Sequence, residues 1–148
     1  MFFGKKKSFF TDEDRHRIAV AIGEAELMTS GEIRVFMESS SGDDAVKSAQ
    51  RAFQKLKMHK TTERNGVLIY LAYEDREFAI IGDDGIHQKV GDDFWNSVRD
   101  EMQAQFKEKK FVEGLIAGIS AAGKKLAEHF PHQANDRNEL SNEMVEGK

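Results

Sequence analysis

Asn65-Gly66-Val67-Leu68-Ile69-Tyr70-Leu71-Ala72-Tyr73-Glu74-Asp75-Arg76-Glu77-Phe78-Ala79-Ile80-Ile81-Gly82-Asp83-Asp84-Gly85 is the stretch that decides the fold. Val67 to Ala72 is apolar at every position apart from the Tyr70 hydroxyl, the pattern of a central strand covered on both faces. Ala79 to Ile81 reads as its partner, and Glu74-Asp75 sit where a hairpin turn belongs. An antiparallel hairpin returns the chain to where it began. Asp83 and Asp84 are therefore expected beside Asn65, at one end of a sheet, and that end is the first place to look for a site.

Upstream, Thr11 followed by Asp12, Glu13 and Asp14 reads as a helix start, a hydroxyl cap with acids at the positive end of the dipole. Ile18, Ala21, Ile22, Ala25 and Met28 recur at helical spacing. Thr29-Ser30-Gly31 closes that helix, with Gly31 available for a positive φ. Glu32 to Glu38 alternates: Ile33, Val35 and Met37 point one way, Glu32, Arg34, Phe36 and Glu38 the other. So polar a second face reads either as an exposed edge strand or as a functional surface. Asp43 or Asp44 can cap the next helix, whose apolar face is Val46, Ala49, Phe53 and Leu56. Strand, helix and strand in this order imply a parallel crossover, and the hairpin adds an antiparallel strand. The sheet is thus expected to be small and mixed, with three or four strands.

Downstream, Ile86 to Val90 reads as a helical turn or a further short strand. Asp92 and Asp93 are expected to cap a helix carrying Phe94, Val98, Met102 and Phe106. The last helix bears Val112, Leu115, Ile116, Ile119, Ala122, Leu126 and Phe130, and its Gly114, Gly118 and Gly123 imply close packing on a neighbour. Pro131 ends it. Residues 1–10 are expected to be a lead-in, 11–130 the domain, and 131–148 a polar tail without periodicity, disordered.

A chain of 148 residues is long enough for one domain with a core. Its net charge of -4 offers no general reason to expect nucleic-acid binding. Having no cysteine, it is barred from disulfides, thiol catalysis and thiolate metal sites. No stretch reaches the roughly 20 apolar residues of a membrane span, and the start lacks a signal-peptide core, so a cytoplasmic protein is expected. The two Phe pairs, Phe2-Phe3 and Phe9-Phe10, around Lys5–Lys7 read either as a solvated lead-in whose Phe9 and Phe10 pack beside the first helix, or as a weak contact for an anionic membrane surface.

Three motifs in this order, Thr29-Ser30-Gly31-Glu32-Ile33-Arg34-Val35, Asn65-Gly66-Val67-Leu68-Ile69-Tyr70 and Phe78-Ala79-Ile80-Ile81-Gly82-Asp83-Asp84-Gly85-Ile86, resemble the TPM-domain family over about residues 10 to 130. The resemblance implies a three-layer α/β/α sandwich, a divalent-cation site of Ca²⁺ type in some members, and weak phosphatase activity in some. Here the corner reads Gly-Asp-Asp-Gly, more acidic than the Gly-Tyr-Gly form common in the family.

A hard cation takes six to eight oxygen ligands. Asp83, Asp84, Glu32 and the Asn65 amide oxygen, with Asp92 and Asp93 one short segment later, could supply them to Ca²⁺ or Mg²⁺. The same Gly-Asp-Asp-Gly is also what a strand-to-helix turn with an aspartate cap looks like. The histidines, His16, His59, His87, His129 and His132, have no zinc spacing; His87 lies nearest the corner and reads as a proton donor or as merely exposed. No phosphate-binding loop, nucleophile elbow or dinucleotide fingerprint is present. The expectation is a monomeric α/β module binding a divalent cation at the acidic corner, as a stability or interaction factor with an unidentified protein partner. The alternative is a metal-assisted acid phosphatase acting on phosphomonoesters, with catalytic candidates Asp83, Asp84, Arg34 and Arg64.

Overall fold

Thr11 opens the first helix, α1 (Asp12–Glu26), through a reciprocal cap: its hydroxyl accepts from the Asp14 amide at 3.0 Å, and the Asp14 carboxylate accepts from the Thr11 amide at 3.0 Å. The computed structural model describes residues 9–42, 44–133 and 140–147, and of Asp92 the backbone alone. The Phe2–Lys7 lead-in and the alternative cap Asp43 lie outside the described residues.

After α1 come β1 (Glu32–Glu38), α2 (Ala45–Lys55), β2 (Gly66–Ala72), β3 (Glu77–Gly82), a single-turn α3 (Asp84–His87), α4 (Asn96–Lys107), α5 (Phe111–Ala127) and β4 (Val145–Glu146). The sheet order is β3-β2-β1-β4, with β1 parallel to both neighbours and β3 antiparallel to β2. Ile86–Val90 thus resolves as a helical turn, and the fourth strand comes from elsewhere.

Alternation along β1 sorts its side chains between two cores. Ile33, Val35 and Met37 join Val67, Ile69 and Leu71 under α1 and α5, while Phe36 joins Leu68, Tyr70 and the Ala49–Phe53 face of α2. Helices therefore cover both faces, and the layers are α/β/α. All seven residues of β2 are buried, as its unbroken apolar run requires. Helix α5 packs closely through its glycines. A Cβ on Gly114 would stand 2.4 Å from the Phe106 ring, and one on Gly118 2.5 Å from Met102 Sδ.

Four expectations are corrected. Gly31 does not take a positive φ; its missing Cβ instead leaves room for Leu126, which would lie 2.9 Å from one. Asp92 and Asp93 fall within a 3-10 turn (Asp92–Trp95) that leads into α4, whose N-terminus has no side-chain cap. Strand β1 is not an edge, because β4 covers its outer side at Phe36 and Met37. And stretch 140–147 of the tail is not free: Met144 is buried in the main core, and Leu140 and Val145 pack on the second one. Three apolar residues spread over a polar segment are enough to dock it, too few to show a period.

Candidate functional site

Register places the expected corner at one sheet end. Glu32 lies opposite Gly66, and Val67 opposite Gly82. The Asp83 amide donates to the Gly66 carbonyl at 2.9 Å, and the Glu32 amide to the Asn65 carbonyl at 3.3 Å. The starts of β1 and β2 and the exit of β3 therefore meet, as the hairpin implied. Gly85 tightens the turn: its amide donates to the Arg64 carbonyl at 2.9 Å, and a Cβ there would be 2.2 Å from the Glu63 carbonyl oxygen.

Beside this corner opens a pocket of about 740 Å³ between α2 and α3. Gln54 and His59 line one wall; Arg64, Asp83, Asp84 and His87 line the other. Asp83 does two jobs. One oxygen accepts from the Asp84 amide at 2.8 Å, capping α3. Both oxygens also receive the Arg64 guanidinium, Nε at 2.7 Å and Nη2 at 2.8 Å, a bidentate charge-assisted pair. The Asp83 side chain is 4% exposed and that of Arg64 45%. The carboxylate holds Arg64 above its ordinary pKa, chiefly through the hydrogen bond. Asp84 stands further out, 3.5 Å from Nη2. Arg64 itself sits on left-handed backbone, φ 53°, a conformation uncommon for a long side chain.

The other expected ligands point elsewhere. Asn65 is buried and donates to Ser30 Oγ and Glu63 Oε2, each at 3.4 Å. Glu32 is buried under the tail and accepts from the Leu140 amide at 3.3 Å. Its neighbour Glu26 accepts from the Ile33 amide at 2.9 Å; burial pushes the Glu26 carboxyl up to about 8, and Glu32 adds to the rise. Asp93 accepts from the side-chain amide of Asn96, the first residue of α4, and the Asp92 side chain lies outside the described residues. Arg34 does not line the pocket. It is half-buried in β1, where the charge of Glu143 in the tail acts on it.

A preassembled oxygen cage is therefore absent among the described residues, where no three His, Asp or Glu side chains gather to hold an ion. What the corner does offer a hard cation is two adjacent carboxylates, Asp83 and Asp84, whose charge the Arg64 guanidinium offsets only in part. Gln54 and His59 were not anticipated. They precede the corner by a loop, and only the packing of α2 on the sheet brings them in.

A family model describing the TPM domain matches residues 5–125. The chain belongs to the TPM-domain family. Among solved structures, the BA42 protein of the psychrophilic bacterium Bizionia argentinensis is 46% identical to this TPM domain, with a TM-score of 0.90, over 97% of this chain and 99% of that one. The N-terminal domain of the cg2496 protein from Corynebacterium glutamicum is 18% identical, covers 84% of this chain and 79% of that one, and has a TM-score of 0.64. A P. gingivalis N-terminal domain is 19% identical, with a TM-score of 0.64 over 84% of this chain and 82% of that one. At such identities these two share the fold alone. Among curated proteins none matches the chain significantly. No helix of the described residues is long and apolar enough to cross a membrane.

Proposed function

We propose that this TPM domain binds a divalent cation, Ca²⁺ or Mg²⁺, at Asp83 and Asp84, and that the cation takes the place of the Arg64 guanidinium. One observation carries the reading. A carboxylate only 4% exposed, on the wall of an open pocket, has both oxygens on a cation that is itself 45% exposed. A small divalent ion offers a buried carboxylate more charge than a guanidinium does, and Asp84 and waters from the pocket would complete its oxygen shell. In this reading the protein is a monomeric cytoplasmic module, a stability or interaction factor for a protein partner.

The second reading, phosphomonoester hydrolysis, draws on the same pocket. A bound cation supplies Lewis acidity toward a phosphoryl oxygen. Of the chain's own residues, Arg64 released from Asp83 would bind phosphate bidentately, and His87 lines the same pocket.

Thermal melts in EDTA and in rising Ca²⁺ or Mg²⁺ test the first reading. Binding to the native state alone raises stability by about 2.7 kcal/mol at a hundredfold excess over Kd. The wild-type midpoint should rise, and Asp83→Asn/Asp84→Asn should remove the rise. Arg64→Gln should melt earlier in EDTA but respond at lower cation concentration, its buried carboxylate having lost a competitor. A midpoint indifferent to both ions in wild type and in Arg64→Gln overturns the proposal. Turnover of a phosphomonoester that a folded Asp83→Asn/Asp84→Asn variant retains would overturn the second.

A further inference from the structure

On the opposite flank of the sheet, residues 140–147 are laid along the outer side of β1, and each contact selects a residue type. Met144 is buried in the main core and Val145 lies on the second, opposite Phe36 in the ladder. Glu146 pairs with Arg15 of α1. The Gly147 amide donates to the Met37 carbonyl at 2.6 Å, and a Cβ on Gly147 would stand 2.6 Å from the Phe36 ring, so a larger residue would have to displace that ring. The charge of Glu143 acts on Arg34. The groove thus reads an extended segment with an acid, two apolar residues, a second acid and a glycine in succession. It does so with pockets for side chains and a backbone edge, the two components of strand addition.

The present occupant fits imperfectly. Arg34 Nε is buried and, among the described residues, has no hydrogen-bond partner. Glu143 is close enough to oppose the loss of charge that burial urges on Arg34, yet it does not take that hydrogen. An unpartnered buried guanidinium N–H is a standing preference for a ligand with a better-placed carboxylate. The ladder to β4 is also only two residues long, against seven between β1 and β2, so the segment can leave without opening the rest of the sheet.

We propose that the outer edge of β1 is an acceptor for an acidic extended peptide of a partner protein, held closed in cis by residues 140–147, with Arg34 and Arg15 as the residues that read the peptide's two acids. The cation proposal and this one are independent, since Arg34 and Arg15 do not line the Asp83 pocket.

The test uses the full chain and a fluorescent peptide of the sequence Leu-Ser-Asn-Glu-Met-Val-Glu-Gly. Met144→Asp/Gly147→Val should evict the chain's own segment, and anisotropy should then show peptide binding at least tenfold tighter than to wild type. Adding Arg34→Gln to that variant should weaken binding about tenfold. A folded double variant that binds no better than wild type, or that is indifferent to Arg34→Gln, overturns the proposal. So does a variant that forms a stable dimer on its freed edge and excludes the peptide, which would assign the edge to a second copy. Should the double variant not fold, hydrogen exchange on wild type decides. Excess peptide should speed exchange at the Glu146 and Gly147 amides, and unchanged rates overturn the proposal.

Discussion

Glu26 makes the sharpest prediction at the scale of single residues. Its carboxyl is pushed from 4.5 to about 8, burial first and Glu32 after it. The folded chain therefore keeps a proton that the unfolded chain releases above 4.5. Stability should fall as pH climbs from about 4.5 to 8 and level off beyond. Glu26→Gln, which can still accept from the Ile33 amide, should flatten that slope; urea denaturation at pH 5, 6, 7 and 8 measures it, and equal slopes in both proteins would refute the assignment. Gly85 makes the second. A Cβ there meets main-chain oxygens of Glu63 and Arg64 at 2.2 and 2.6 Å, which cannot rotate aside. Gly85→Ala should cost about 3 kcal/mol in the same assay. That Asp83, Asp84, Asn65 and Glu32 share a sheet end was legible in the sequence, because hairpin return and strand parity are counted residue by residue. Their partners were not. Glu32 turns to Leu140 and Arg34 to Glu143, both on a segment whose polar composition carries no period, and the closure of Arg64 on Asp83 depends on a left-handed residue that no pattern announces.

Among the elements, α5 shows how helix propensity yields to packing. Gly114 is a poor helix former, and alanine there would gain up to about 1 kcal/mol of propensity. Its Cβ would stand 2.4 Å from the Phe106 ring, and overpacking of that kind costs about 1–3 kcal/mol. Gly114→Ala should thus lower stability by up to about 2 kcal/mol once the propensity gain is subtracted, read from the urea midpoint; a more stable variant would show that α4 yields to α5. The close packing was legible because three glycines weaken an amphipathic helix too much to persist there unless a neighbour needs the space. The hairpin, α2 and the crossover were legible for a similar reason, a period sustained over a whole element. At Asp92-Asp93 the period gave no help, since an acidic pair opens a 3-10 turn as readily as it caps an α-helix, and here the turn prevails. Strand β4, only two residues long, falls below the length at which alternation can be recognised at all.

Over the whole molecule, stability should be unevenly distributed. Strand β2 is buried along its full length between two strands and two helix layers, whereas residues 140–147 are held by a two-residue ladder, an ion pair, hydrogen bonds that include Leu140 to Glu32 and Gly147 to Met37, and a few apolar side chains. Native-state hydrogen exchange should find the Gly147 amide opening locally, far faster than Leu68–Leu71, which should exchange only through global unfolding. Similar rates at both places would mean the segment unfolds with the domain. The same arrangement bears on how the protein is made. Synthesis delivers β1, with its Val35-Phe36-Met37 run, early, and every other element of the sheet before the strand that covers its outer side. A nascent or truncated chain that stops short of residue 140 would carry a folded sheet with an open, apolar edge, the form in which sheets recruit one another. Loss of those last residues would therefore threaten solubility before it threatened the fold.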